Sequence, residues 1–209
     1  VYSGATQGWI PIDDGAVVKA PTVLPTQKGI FAYGRDGSYV SMSNLINSSG
    51  VIASDVTGVG TARNSLAAAT YGFDKAIFGY GVTSGQVSMS NLVNNSGVVA
   101  SDVSGVGTAR GNPGAAGYGG DKAIFGYGDA AAGSVSLTNL VSNSGVISAD
   151  VTGVGTVRYA LAAASYGGDK AAFAYGNGPV SLKNLVSNTG IVSADVTGVG
   201  TARQGLAAT

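Results

Sequence analysis

Four arginines, Arg63, Arg110, Arg158 and Arg203, recur once every 45 to 48 residues. Guanidinium groups gathered at one place would form a set of planar forks suited to a carboxylated sugar or a phosphate. The competing reading bonds each arginine to an aspartate or a carbonyl of a neighbouring unit, since four unpaired charges converging would repel one another. Acids recur as well: Asp55, Asp102, Asp150 and Asp195 in one series, and Asp74, Asp121 and Asp169, each next to a lysine, in another. Paired carboxylates can perform acid–base chemistry or hold calcium. Here each comes with a basic residue in the same unit, so ion pairs and turn hydrogen bonds are the expected use. Asp36 and Asp129 fall outside both series and lack the spacing of a calcium loop. Gly58-Val59-Gly60 and its copies lack the third glycine of a dinucleotide fingerprint and the lysine of a phosphate loop, and read instead as turns between units.

The inventory of reactive groups is short. The chain contains neither histidine nor cysteine, which removes the usual zinc ligands, an imidazole base, a thiolate and any disulfide. No metal site, cofactor or catalytic residue is expected, and the chain does not read as an enzyme. Eleven basic residues balance eleven acidic ones, so no electrostatic footprint for nucleic acid appears. No apolar run is long enough to span a bilayer, and membrane insertion is not expected. The sequence opens on Val1, which reads as a piece of something longer.

The elements that must carry these residues follow from composition and period. With 35 glycines, much Val, Ser, Thr and Tyr and few strong helix formers, the chain reads as all-β. Residues 1–26 lie outside the repeat and hold Trp9 and three of the five prolines. They read as an extended segment, either a strap laid on the repeat domain or a linker. Residues 27–209 are the repeat domain, with units starting near Lys28, Lys75, Lys122 and Lys170. Each unit reads as four strands: R-x-x-LAAA, KAIFGYG, VSMSNL and VVASDV, the last two joined by an Asn/Ser/Gly turn. Four short strands in a period of this length are the mark of a propeller blade. The first unit lacks its R-x-x-LAAA strand, and residues 201–208 supply one after the last. The expected architecture is therefore a small four-bladed β-propeller, its ring closed by the C-terminal strand joining the first blade. Ala67 to Ala69 and Ala162 to Ala164 suit a crowded innermost strand. Pro113 and Gly114, where other copies have Leu-Ala, predict local irregularity in the third unit.

The copies disagree in two places. The loop after the second strand reads Arg35-Asp36-Gly37-Ser38-Tyr39, then Val82 to Gln86 (with Thr83), then Asp129 to Ser134, then Asn177-Gly178-Pro179. The pair after each arginine reads Asn64-Ser65, Gly111-Asn112, Tyr159-Ala160 and Gln204-Gly205. In a four-strand meander these positions share one edge and the constant turns share the other. Loops on a rigid scaffold are a usual place for a binding surface, so the candidate ligand-binding residues are these loops together with the four arginines. Neutral drift of exposed loops would leave the same pattern. Tyr39 and Tyr159 are suited to stacking on sugar rings.

An arginine, small residues, a turn and an aliphatic-aromatic strand ending in glycine resemble the kelch repeat. Gly79-Tyr80-Gly81 stands in place of the kelch diglycine, and the late tryptophan of a kelch blade is missing. The wording DKAIFGYG (121–128), NLVSNSG (139–145) and DVTGVGT (150–156) more closely resembles repeats of structural and tail-fibre-like proteins of tailed bacteriophages, as does the opening VYSGATQGWIPI. That resemblance implies a non-enzymatic virion or extracellular module that recognises a host surface glycan or protein. The alternative is a structural scaffold or decoration piece whose partners are other virion proteins. Homo-oligomerisation through a fibre or neighbouring region belongs to the same expectation.

Overall fold

The computed structural model describes residues 29–208, so the strap or linker expected at 1–26 lies outside the described residues. Twelve strands follow one another: β1 (Gly29–Arg35) and β2 (Tyr39–Ile46) in the first unit, then β3 (Ala67–Tyr71), β4 (Lys75–Gly79) and β5 (Ser90–Val93) in the second. The third holds β6 (Arg110–Gly111), β7 (Gly114–Tyr118), β8 (Lys122–Ala130) and β9 (Gly133–Val141), and the fourth β10 (Ala162–Tyr166), β11 (Lys170–Ala174) and β12 (Lys183–Val186). The described residues contain no helix. Every strand pair is antiparallel, and the register repeats: Tyr71 lies opposite Lys75, Tyr118 opposite Lys122 and Tyr166 opposite Lys170. Pro113 precedes β7 rather than entering it, so β7 pairs as regularly as β3 and β10.

The expected propeller is not what forms. The sheets are four separate small ones of two, three, four and three strands, and none is closed. The strand meant to seal the ring is absent from the first sheet, which contains β1 and β2 alone. Residues 201–208 sit on the fourth unit instead: Gly176 N–H donates to Arg203 O at 3.0 Å and Gly205 N–H to Ala160 O at 2.8 Å. These are the bonds by which each earlier arginine segment joins the unit before it, as when Gly34 N–H donates to Arg63 O at 2.9 Å. The tail therefore takes one more step along the stack rather than turning back to its start.

A second difference concerns the fourth strand of each unit. It is held by two isolated bridges, Ser90 to Val103 and Val93 to Val99 in the second unit, with matching pairs in the others. The physical reason is a side chain. Asn91 Nδ2 donates to Ala100 O at 3.0 Å and to Asp102 Oδ1 at 2.9 Å, taking backbone and carboxylate acceptors that would otherwise seek a continuous ladder.

The core is divided among the joints between successive sheets. One cluster joins Tyr33 to Phe78, Val93 and Val99; another joins Ile77 and Tyr80 to Phe125 and Val141; a third joins Ile124 and Tyr127 to Phe173 and Val186. Neighbouring positions of one strand thus face opposite joints, Phe78 backward and Ile77 forward, because each inner sheet is covered on both faces. The alanine-rich strands β3, β7 and β10 lie side by side, where small side chains let neighbouring units approach closely. Glycines serve the same end. A Cβ on Gly79 would meet the Phe125 ring at 2.7 Å, and one on Gly126 would meet Phe173 at 2.6 Å.

Candidate functional site

Each joint is built around a tyrosine in an unusual backbone conformation. Tyr33, Tyr80, Tyr127 and Tyr175 all have φ of 63–64°, a region that costs a residue with a Cβ roughly 1–2 kcal/mol. Where β1 and β8 pass through this point, their pairing shifts register at Ala32/Gly34 and Gly126/Gly128. Such a bulge re-aims a side chain, and here it swings the ring into the joint. The phenylalanine of the next unit meets it edge-on, with centroids 5.2–5.4 Å apart. The arginine of the next unit lies over the ring, at 4.3 Å for Arg63 on Tyr33, 3.9 Å for Arg110 on Tyr80 and 4.2 Å for Arg158 on Tyr127. Each phenol donates to a carbonyl of the connecting Gly-Val-Gly turn, as in Tyr127 Oη–H to Val154 O at 3.1 Å. Burial pushes the Tyr80 and Tyr127 hydroxyls up to about 12, against the pull of Arg110 and Arg158.

The arginines are spent on protein partners. Arg63, Arg110 and Arg158 are almost wholly buried. Arg158 donates through Nε to Tyr175 O at 2.8 Å, through Nη1 to Thr156 O at 3.0 Å and through Nη2 to Asn184 Oδ1 at 2.6 Å. The same asparagine donates to Asp195 Oδ1 at 3.0 Å, and Asp195 accepts from Thr156 N–H and Oγ1–H. An arginine–asparagine–aspartate–threonine clasp thus fastens the Arg63, Arg110 and Arg158 segments to the third and fourth strands of their own units. Asp102, Asp150 and Asp195 feel burial that raises them. Hydrogen bonds from threonine and asparagine and the nearby arginine outweigh it, and all three lie below the ordinary carboxylate value. Arg110 Nε is a buried nitrogen without a partner among the described residues; its segment is drawn into β6, paired with Ala130 and Asp129. Burial lowers Arg110 from its ordinary value. Arg203 differs from the other three: it lies over Tyr175 at 4.1 Å but stays exposed.

The positions where the copies differ are brought together. Asn64 and Val82 exchange backbone hydrogen bonds at 3.1 and 2.8 Å, Gly111 pairs with Asp129, and Asn177 N–H donates to Tyr159 O at 2.8 Å. Between units a column of bonds runs along this edge: Asn112 N–H to Ser65 O, Ala160 N–H to Asn112 O and Gly205 N–H to Ala160 O. Ser65, Asn112, Ala160 and Gly205 all have positive φ; Gln204 and Gly205 are exposed, Gly111 is buried and the other members of the pairs are half-buried. The first loop is exposed. Arg35 donates from Nε to Gly37 O at 3.2 Å and its guanidinium lies 5.8 Å from the Tyr39 ring centre, while Asp36 Oδ1 accepts from Ser38 N–H. Thr83 donates to Gly85 O, Val82 bridges to Gln86, and Gln204 is exposed.

The opposite edge carries the constant turns. Asp74, Asp121 and Asp169 pair with the lysines next to them at 2.5–2.9 Å, and Asn95 and Asn143 donate to Asp74 and Asp121. A cleft of about 240 Å³ crosses three units here, lined by Tyr71, Phe73, Tyr118, Lys122 and the hydroxyls of Thr70 and Ser165. Sequence reasoning missed Phe73. It is 84% exposed with φ 69°, where the other copies have Gly120 and Gly168. The break in the repeat at that position was the available signal. Among the described residues no group of three or more acidic, histidine or cysteine side chains is placed to hold a metal ion.

Compared with protein-family models and with curated proteins, the chain matches none.

Proposed function

We propose that this chain is a non-enzymatic recognition module of a virion or comparable surface assembly, which binds a host glycan or protein through the edge where its copies differ. The observation that carries the reading is the column joining Ser65, Asn112, Ala160 and Gly205. It sets the variable pairs in register beside the variable loops, while the recurring polar residues are occupied in the joints. A constant scaffold with a varied rim is how repeat proteins offer binding surfaces. Support for a non-enzymatic role comes from the carboxylates: one series is held by threonine and asparagine and the other by its neighbouring lysines. The virion setting is supported by the residue pattern alone.

A glycan array probed with the full chain tests this. The expected result is binding to a defined set of surface glycans that falls at least tenfold in a Tyr39→Ala, Tyr159→Ala double variant. Tyr39 is partly exposed and Tyr159 half-buried, and neither belongs to a joint, so the fold should survive. A blank array, with capture of surface proteins equally unaffected by the double change, would remove the rim from the account. The scaffold reading then gains, favoured by the observation that most recurring residues serve contacts between or within units.

A further inference from the structure

We infer that the cleft on the constant edge is a second binding site, and that it takes one neutral pyranose ring. It lies opposite the variable rim and does not rest on the reading given for that edge.

Two breaks in the repeat meet in this cleft. The residue before the tyrosine of the first hairpin is Thr70, Gly117 and Ser165 in successive units, and the residue two beyond that tyrosine is Phe73, Gly120 and Gly168. All of them line the cleft. Thr70, Gly117 and Ser165 hold one register position, opposite Ala76, Ala123 and Ala171. The backbone does not require the glycine in the middle, because its φ is not positive. What Gly117 supplies is room. A Cβ there would stand 3.4 Å from Ser165 Oγ and 3.5 Å from Thr70 Oγ1, at ordinary contact, and would fill the space between the two hydroxyls. Phe73 supplies a wall: its ring is 84% exposed where its counterparts have no side chain.

This lining matches one face and the edge of a sugar. A pyranose presents C–H bonds on a face and hydroxyls around its edge. Phe73 is a flat apolar platform for the face, and the hydroxyls of Thr70 and Ser165 can donate and accept at the edge. Ser165 Oγ–H donates to Gly117 O at 2.9 Å, which leaves its lone pairs to accept. Lys122 also lines the cleft, with its ammonium paired to Asp121. It therefore brings further donors without net charge, and the ring it suits is neutral rather than a uronic acid. At about 240 Å³ the cleft is smaller than the roughly 300–1,000 Å³ of sites for drug-sized ligands, which gives room for one ring. Its walls are set before a ligand arrives. Gly72 N–H donates to Asp121 O and Gly119 N–H to Asp169 O, each at 2.7 Å, so the three turns are tied together and little ordering remains for binding to impose.

Titrating the isotope-labelled full chain with methyl glucoside, methyl galactoside and methyl mannoside, followed by amide chemical shifts, tests this. At least one glycoside should bind with a dissociation constant on the order of 1 mM. It should shift the amides of Gly117, Gly119 and Gly120 and leave those of Gly111 and Gly178 on the rim in place. Phe73→Gly and Gly117→Thr each install the residue of a sister copy, so both should fold, and each should weaken that binding at least tenfold. Binding undiminished in either folded variant would overturn the inference. So would shifts confined to the rim, benzyl alcohol bound as tightly as the glycosides, or no shift with any of the three.

Discussion

Replacing Arg158 by methionine isolates the contribution of one joint. The change keeps an unbranched apolar stem and removes the guanidinium, with its charge and five donors. It deletes hydrogen bonds at 2.8, 3.0 and 2.6 Å and leaves Asn184 Oδ1 buried without a donor. It also removes the guanidinium from the Tyr127 ring, 4.2 Å away. Hydrogen bonds to a charged group are worth about 1.5–3 kcal/mol each and a desolvated cation–ring contact about 2 kcal/mol. The desolvation of the guanidinium is recovered, so the sum is an overestimate. Removing one partner from a buried polar pair costs about 3–5 kcal/mol, which is the expected loss in urea unfolding followed by far-ultraviolet circular dichroism. Arg158→Lys should lose nearly as much, because an ammonium cannot reach three acceptors from one plane. Arg203→Met is the internal reference: the same repeat position, exposed, and expected to cost under about 1 kcal/mol. Adding Asn184→Leu to Arg158→Met should cost less than the two single changes summed, since the orphaned amide goes with its partner. An Arg158→Met loss no larger than that of Arg203→Met would refute the clasp as a source of stability.

Stability should fall at both extremes of pH. Asp102, Asp150 and Asp195 lie below their unfolded value of 3.8, so their contribution is present above that value and is lost as pH drops through the folded ones. Tyr80 and Tyr127 are raised from 10.0 to about 12; their neutral forms favour the fold below pH 10, and about 2–3 kcal/mol per phenol disappears between pH 10 and 12. A midpoint in urea that is flat from pH 9 to 12 would contradict the buried phenols. Phe73→Gly should stabilise the chain by about 0.5–1 kcal/mol, because it relieves a positive φ at a side chain with little packing to lose; a loss measured by thermal unfolding would show that Phe73 is held by contacts of its own.

Much of the joint was legible in the sequence, and the path of the chain was not. The recurrence of Arg63, Arg110 and Arg158 with an aspartate per unit announced bonds within the protein. Backbone bonds join the variable pairs to the variable loops, a proximity that strand order in a meander already implies. The ring failed for a specific reason. A missing strand at one end and a spare one at the other satisfy a circle and an open stack equally. The choice depends on the rotation from one unit to the next, which side-chain sizes in Ala67 to Ala69 constrain but do not set. The bulge at Tyr127 was hidden for another reason: positive φ is rare outside glycine, and a Gly-Tyr-Gly run gives no reason to place it on the tyrosine. Asn91, Asn139 and Asn184 were read as parts of a strand, although their burial and pairing with arginine make them the centre of each clasp.

Those asparagines also explain how the units keep their register while the rim changes. An apolar joint of alanine, valine and phenylalanine tolerates sliding, because its contacts are non-directional. The clasp does not. A strand shifted by one residue would leave Arg158 and Asn184 buried with partners out of reach, at a cost greater than any packing gained. Register is therefore set by the buried Arg158 and Asn184, the arginine standing immediately upstream of Tyr159 on the variable edge. Substitutions at Asn64, Asn112, Tyr159 or Gln204 change what the edge presents without entering the clasp. Thus the rim can diversify independently of the stack, and a change of binding preference at these four positions should leave the unfolding midpoint nearly where it was.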